Sequence, residues 1–129
     1  MSEALQILQK YWKHDSFRAP QEEIIQSVLS GNDTFALLPT GGGKSVCFQI
    51  PAIQLNGICL VISPLIALMK DQVQNLQSRH IKAIALTGGV SQDEVIDILD
   101  NCQFGNYKFL YLSPERLQHD WIVERLKQL

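Results

Sequence analysis

The chain has 129 residues, 46% of them hydrophobic, which is enough to bury one core and too little for two. Its 11 Lys and Arg against 13 Asp and Glu give a formal charge of −2, so no overall positive field draws it to nucleic acid or to an anionic membrane. Nucleic-acid contact, if made, has to be local.

Pro20, followed by Gln-Glu-Glu and by Ile24, Ile25, Val28 and Leu29, predicts a helix with an acidic first turn, closed by Gly31. Thr34 to Leu38 is a short apolar run that predicts a strand. The glycines after Pro39 then open an apolar-periodic helix from Lys44 to Ile50, which Pro51 is expected to stop. Ile58 to Ile62 predicts a second strand, and Ser63-Pro64 a helix start with Leu65, Ile66, Met69, Val73 and Leu76 on one face. Ala83 to Leu86 is a third strand. Ser91-Gln-Asp-Glu94 fits a capping box ahead of Val95, Ile98, Leu99 and Cys102, a helix that closes near Gly105. Lys108 to Leu112 is a fourth strand, Ser113-Pro114 another helix start, and Trp121, Ile122, Arg125, Leu126 and Leu129 a final amphipathic helix. This alternation predicts an α/β fold whose mainly parallel sheet is flanked by helices on both faces. No repeat, low-complexity tract or linker marks a boundary, so residues 1–129 read as one domain with no second domain.

Cys47, Cys59 and Cys102 are far apart in apolar sequence with no C-x-x-C pair, the pattern of reduced, buried thiols, and no zinc is expected. No apolar run approaches the ~20 residues that span a bilayer, and the N-terminus lacks the basic and apolar segments of a signal peptide. A soluble, cytoplasmic protein without membrane contact is expected.

The chemistry concentrates in Pro39, Thr40, Gly41, Gly42, Gly43, Lys44 and Ser45, set between a predicted strand and a predicted helix. Glycine lets backbone N–H groups approach phosphate oxygens closely, and the helix N-terminus adds a favourable dipole. Lys44 is the candidate catalytic group, neutralising the β- and γ-phosphates, and the Ser45 hydroxyl is the candidate Mg²⁺ ligand. The strict phosphate-loop pattern has glycine where this chain has Leu38, so the match rests on Gly43-Lys44-Ser45 and its flanks. A glycine-rich turn with a chance lysine is the competing reading. Hydrolysis also needs an acid at the end of another strand. Asp93-Glu94 follows a loop and reads as the first turn of a capped helix, and Asp97, Asp100 and Glu115 also fall in predicted helices.

Around that loop, Phe17-Arg-Ala-Pro-Gln21-Glu-Glu-Ile-Ile25 resembles the adenine-recognition motif of RecQ helicases. Leu38 to Ser45 resembles that family's first helicase motif, Val61 to Val73 its motif Ia, and Tyr111-Leu-Ser-Pro-Glu-Arg-Leu117 its motif Ib. The resemblance runs from about Leu5 to Arg125 and implies a RecA-like P-loop domain, the N-terminal portion of the first of two motor domains. ATP hydrolysis in that family drives translocation along single-stranded DNA, usually 3′ to 5′, with unwinding of forked or duplex DNA.

Carried over position by position, Gln21 reads the adenine edge, Arg18 and Phe17 help hold the base, and His14 stands where the family often has a stacking aromatic. A helix-capping Gln and a surface Arg are the alternatives. Ser63, Pro64, Gly88, Gly89, Ser113 and Arg116 are implied as DNA-backbone contacts, against an ordinary loop for the glycines and a surface ion pair for Arg116. The family's Asp-Glu-x-His motif does not occur in the sequence, so the fold is read as truncated before it. The chain is then expected to bind ATP and Mg²⁺ without efficient hydrolysis, its sheet to carry an unpaired edge prone to self-association, and its setting to be a bacterial cytosol or nucleoid. The rivals are another P-loop enzyme such as a small-molecule kinase, a non-catalytic nucleic-acid-binding module, and a DEAD-box RNA helicase. The last usually carries Pro-Thr-Arg-Glu-Leu where this chain has Ser-Pro-Leu-Ile-Ala-Leu.

Overall fold

The computed structural model describes residues 2–38 and 44–129; Met1 and residues 39–43 lie outside the described residues. Two compact units are present, residues 1–56 and residues 57–129.

In the first unit, helix α1 (Glu3–Ile7) is capped by Ser2, whose Oγ accepts the Leu5 N–H at 3.1 Å, and it continues into a π-helical turn, Leu8–Trp12. Helix α2 spans Gln21–Leu29, with Glu22 and Glu23 in its first turn. Gly31 follows at φ +85°, a left-handed position that glycine adopts without a Cβ penalty, and donates to the Val28 carbonyl. Helix α3 spans Lys44–Gln54. Ala4, Ile7, Leu8, Ile25 and Ile50 form the core, with Phe17, Leu29, Val46 and Ile53 packed against it. Burial of a side chain such as Ile25 or Ile50 contributes about 1.5–3 kcal/mol.

Two expectations fail here. Thr34 to Leu38 forms no ladder among the described residues, and Phe35 and Leu37 are 92% and 85% exposed. A strand exists through hydrogen bonds to a neighbour, and an apolar run without one stays irregular whatever its propensity. Pro51 does not stop α3 either: it lies buried inside the helix, and its carbonyl accepts the Leu55 N–H. The missing proline N–H costs one helical bond, which the packing of that face offsets.

The second unit is built on three parallel strands, β1 (Cys59–Ile62), β2 (Ala83–Leu86) and β3 (Phe109–Leu112), in the spatial order β1-β3-β2. Of the four predicted strands, the first, Thr34 to Leu38, is the one not found among the described residues. Register aligns Ile62 and Leu86 with Leu112, so all three strands end level. Helix α4 (Ile66–Ser78) buries Met69, Val73 and Leu76, and the Tyr111 hydroxyl bonds Gln72 Oε1 at 2.7 Å. Side chains alternate along a strand, so the other face of β3 carries Leu110 and Leu112. These pack with Leu86 against Val95, Leu99 and Cys102 of α5 (Gln92–Phe104) and Ile122 and Leu126 of α6 (Asp120–Leu126). The central strand is thus buried throughout and flanked by helices on both faces, the parallel α/β arrangement expected.

Ser91 caps α5 as its sequence predicts, its Oγ accepting the Glu94 N–H at 3.2 Å. The helix expected from Ser63-Pro64 begins later, at Ile66, because the Ser63 hydroxyl accepts the Leu65 N–H and holds Leu65 extended. Leu65 and Ile66, expected to share one face with Met69, Val73 and Leu76, are exposed where those three are buried. Ser113-Pro114 opens a 3₁₀ helix, Pro114–Gln118. On β1, Leu60 and Ile62 are 40% and 43% exposed, and among the described residues this strand pairs only with β3.

Candidate functional site

In the first unit the entry to α2 is locked by two reciprocal bonds, both 2.8 Å. The Gln21 N–H donates to the Arg18 carbonyl, and the Arg18 N–H donates to Gln21 Oε1. Gln21 is only 4% exposed, so its amide plane is fixed before a ligand arrives. Capping and ligand contact are therefore not exclusive for this side chain: the same bond that closes the turn orients the amide.

His14, Ser16, Arg18 and Gln21 line one cavity of about 340 Å³ together with Leu8 and Val46. Val46 lies in the first turn of α3, two residues past Lys44, so the cavity borders the helix that Lys44 and Ser45 open. Lys44 is exposed and Ser45 half-buried. The predicted loop residues Pro39, Thr40, Gly41, Gly42 and Gly43 lie outside the described residues. Phe17 does not line this cavity; it packs on the apolar core and lines a larger recess of about 610 Å³ with Arg18, Ala19, Pro20, Glu22, Glu23 and Gln26. That recess carries two carboxylates and no residue of α3, which suits a phosphorylated ligand poorly.

The smaller cavity brings together an amide that donates and accepts, a guanidinium, an imidazole, and apolar walls from Leu8 and Val46, groups complementary to a planar heterocycle. Leu8, Ser16 and Val46 were not singled out in the sequence. Val46 could have been, since it follows Lys44-Ser45 within one helical turn; for Leu8 and Ser16 no local signal exists.

In the second unit the level strand ends bring a second set of residues to one edge of the sheet. Ser63, Thr87 and Ser113 each follow a strand directly, and the Ser63 N–H donates to the Leu112 carbonyl at 3.1 Å. Gly88 and Gly89 continue from Thr87, with Gly89 at φ +84°. Arg116, in the 3₁₀ turn, donates from its guanidinium to the Thr87 carbonyl at 2.7 Å, so it is bound to backbone rather than to the surface carboxylate weighed as the alternative. All six residues singled out for DNA contact, Ser63, Pro64, Gly88, Gly89, Ser113 and Arg116, therefore lie at the carboxyl ends of the strands, where open α/β sheets bind ligands.

None of Ser63, Thr87 and Ser113 is an acid. Asp93 and Glu94 occupy the first turn of α5, and among the described residues no three of His, Cys, Asp and Glu converge as a metal site. Burial pushes all three thiols up, Cys102 to about 11, while the Lys108 charge offsets part of the effect at Cys59. No helix among the described residues is long and apolar enough to cross a membrane.

Residues 18–129 match the family model described as DEAD/DEAH box helicase. The chain is 46% identical to the "Probable ATP-dependent DNA helicase RecS" of Bacillus subtilis, over 100% of this chain and 26% of that protein. It is 44% identical to the ATP-dependent DNA helicase RecQ of Synechocystis sp., over 94% and 25% respectively, and 43% identical to the ATP-dependent helicase wrn-1 of Caenorhabditis elegans, over 88% and 10%. The chain thus spans about a quarter of the length of the first two relatives. With a family model matching residues 18–129 and relatives 46% and 44% identical along most of the chain, the chain belongs to the DEAD/DEAH box helicase family and, within it, resembles the RecQ type.

Proposed function

We propose that the chain is the nucleotide-binding part of the first motor domain of a RecQ-type DNA helicase, in which ATP hydrolysis drives movement along single-stranded DNA and the opening of forked duplexes. The observation that carries this is the convergence of His14, Arg18 and Gln21 on one cavity that Val46 joins to the helix opened by Lys44-Ser45. Gln21 presents its amide to the adenine edge, and Arg18 and His14 flank the base. Lys44 supplies positive charge for the β- and γ-phosphates, and Ser45 is the residue that would ligate Mg²⁺, which when bound screens the charge developing on the phosphates. At the sheet edge, Ser63, Ser113 and the backbone at Gly88-Gly89 hold DNA phosphates without reading sequence. A second motor domain is the natural partner for the other half of such a site.

Because the residues after the three described strands are Ser63, Thr87 and Ser113, this chain on its own binds nucleotide without hydrolysing it efficiently. The test is a titration with a fluorescent ATP analogue and Mg²⁺, competed by ATP and GTP, with Lys44→Ala alongside. Adenine-selective binding that Lys44→Ala abolishes is expected. Binding blind to the base would point to another class of P-loop protein, and DNA-stimulated turnover by the isolated chain would overturn the non-catalytic clause.

A further inference from the structure

The carboxyl edge of the sheet carries a cavity that the reading above leaves unused. It measures about 300 Å³, with Gln92, Arg116, His119 and Trp121 at its rim and the buried side chains of Val95 and Ile122 beneath. Arg116 is pinned there by its 2.7 Å bond to the Thr87 carbonyl, which takes one of the five N–H donors of a guanidinium. Trp121 is 36% exposed, so part of its indole is open to solvent, whereas the adjacent Ile122 is buried.

The rim chemistry is that of a base-binding pocket. An aromatic ring, an imidazole and a planar guanidinium offer stacking surfaces, and the Gln92 amide both donates and accepts at a base edge. The volume lies at the bottom of the ~300–1,000 Å³ range of small-molecule pockets, which suits one ring system rather than a whole nucleotide. Arg116 sets a guanidinium charge at the rim, and Asp93, Glu94, Glu115 and Asp120 of the same elements are not among the residues that line the cavity.

We propose that this cavity receives one nucleobase of the single strand, splayed away from the backbone held at Gly88, Gly89 and Ser113, stacked against Trp121 and hydrogen-bonded at its edge by Gln92 and Arg116. The proposal rests on the DNA-tracking reading and adds a base contact to it. Such a contact grips the strand without selecting its sequence, because every base has a π-face.

The chain contains two tryptophans, so Trp12→Phe leaves Trp121 as the sole indole. That variant is titrated with a short oligothymidylate and with an abasic oligomer of equal length, recording anisotropy and indole emission, after circular dichroism has shown that it is folded. Binding of the thymidylate is expected to quench the indole and to be roughly ten-fold tighter than that of the abasic strand. Trp121→Ala is expected to erase the difference between the two oligomers, and Trp121→Phe to keep most of it. Should Trp121→Ala fail to fold, Gln92→Ala carries the same test, with a reduced difference expected. Equal affinity for both oligomers, or binding without quenching, overturns the cavity and leaves the DNA-tracking reading standing. A folded chain that binds neither oligomer overturns that reading and the cavity with it.

Discussion

Gln21 holds a turn together and faces a cavity at once, and the two roles separate by substitution. Gln21→Ala removes the acceptor of a 2.8 Å bond from the Arg18 N–H at a site 4% exposed, which costs about 1–3 kcal/mol for an unsatisfied buried donor. Gln21→Glu keeps an oxygen for that N–H, but an ionised carboxylate at a site 4% exposed loses hydration, which opposes the favourable helix dipole in the first turn of α2. An ionised carboxylate has no donor, however, and cannot match the paired donor and acceptor of an adenine edge. Two neutral hydrogen bonds at ~0.5–1.5 kcal/mol each correspond to roughly 5- to 150-fold selectivity for ATP over GTP. Urea unfolding is therefore expected to place both variants below wild type. Nucleotide competition should show selectivity lost in both variants. Retained ATP preference in a folded Gln21→Glu chain would refute the assignment of Gln21 as the base reader, leaving it a purely structural cap.

Ser91→Ala removes the cap of α5 and is expected to lower stability by about 1 kcal/mol, read as a lower urea midpoint at unchanged slope. Gly105→Ala brings a Cβ to 2.5 Å from the Asn101 carbonyl oxygen, so it should destabilise more than Gly88→Ala, whose Cβ meets open space; thermal unfolding of the pair compares them. Burial raises the three thiols, Cys102 to about 11, so the folded state holds these protons more tightly than the unfolded chain does. Their contribution is complete below the unfolded value near 9.0 and falls as pH rises from there towards about 11, by at most about 1.4 kcal/mol per pH unit for Cys102. Alkaline unfolding that is delayed in Cys102→Ala relative to its neutral-pH stability checks the sign.

Legibility in the sequence followed the range of the forces involved. β2 runs from Ala83 to Leu86 and α5 is capped by Ser91 as local pattern alone predicts, because a short apolar run and a side chain three residues from its partner are short-range signals. Thr34 to Leu38 had the composition of a strand but depends on a neighbour that local sequence does not specify. Pro51 reads as a stop, yet it lies in a buried helix face whose packing outweighs one lost bond. The site divides similarly. The glycine loop with Lys44-Ser45 is visible as a motif, whereas His14, Arg18 and Gln21 became a group only through resemblance, and their convergence with Leu8 and Val46 is a tertiary fact. Gln92 lies inside the capping box and Trp121 in the final amphipathic helix, but neither pattern joins them to each other or to His119, and the fold of the second unit assembles the three.

The strand order β1-β3-β2 also governs how the sheet can be made during synthesis. Neither β1 nor β2 pairs with the other, so β3, the last of the three to leave the ribosome, is the keystone for both. Cys59 and its partner Phe109 are some fifty residues apart, a delay of roughly 3–10 s at ordinary translation rates. Through that interval α4 and α5 can form, but their apolar stripes have no sheet to cover. The sheet then closes in one event when Phe109–Leu112 arrives, and the nascent chain spends those seconds as a client for whatever shields exposed hydrophobic surface.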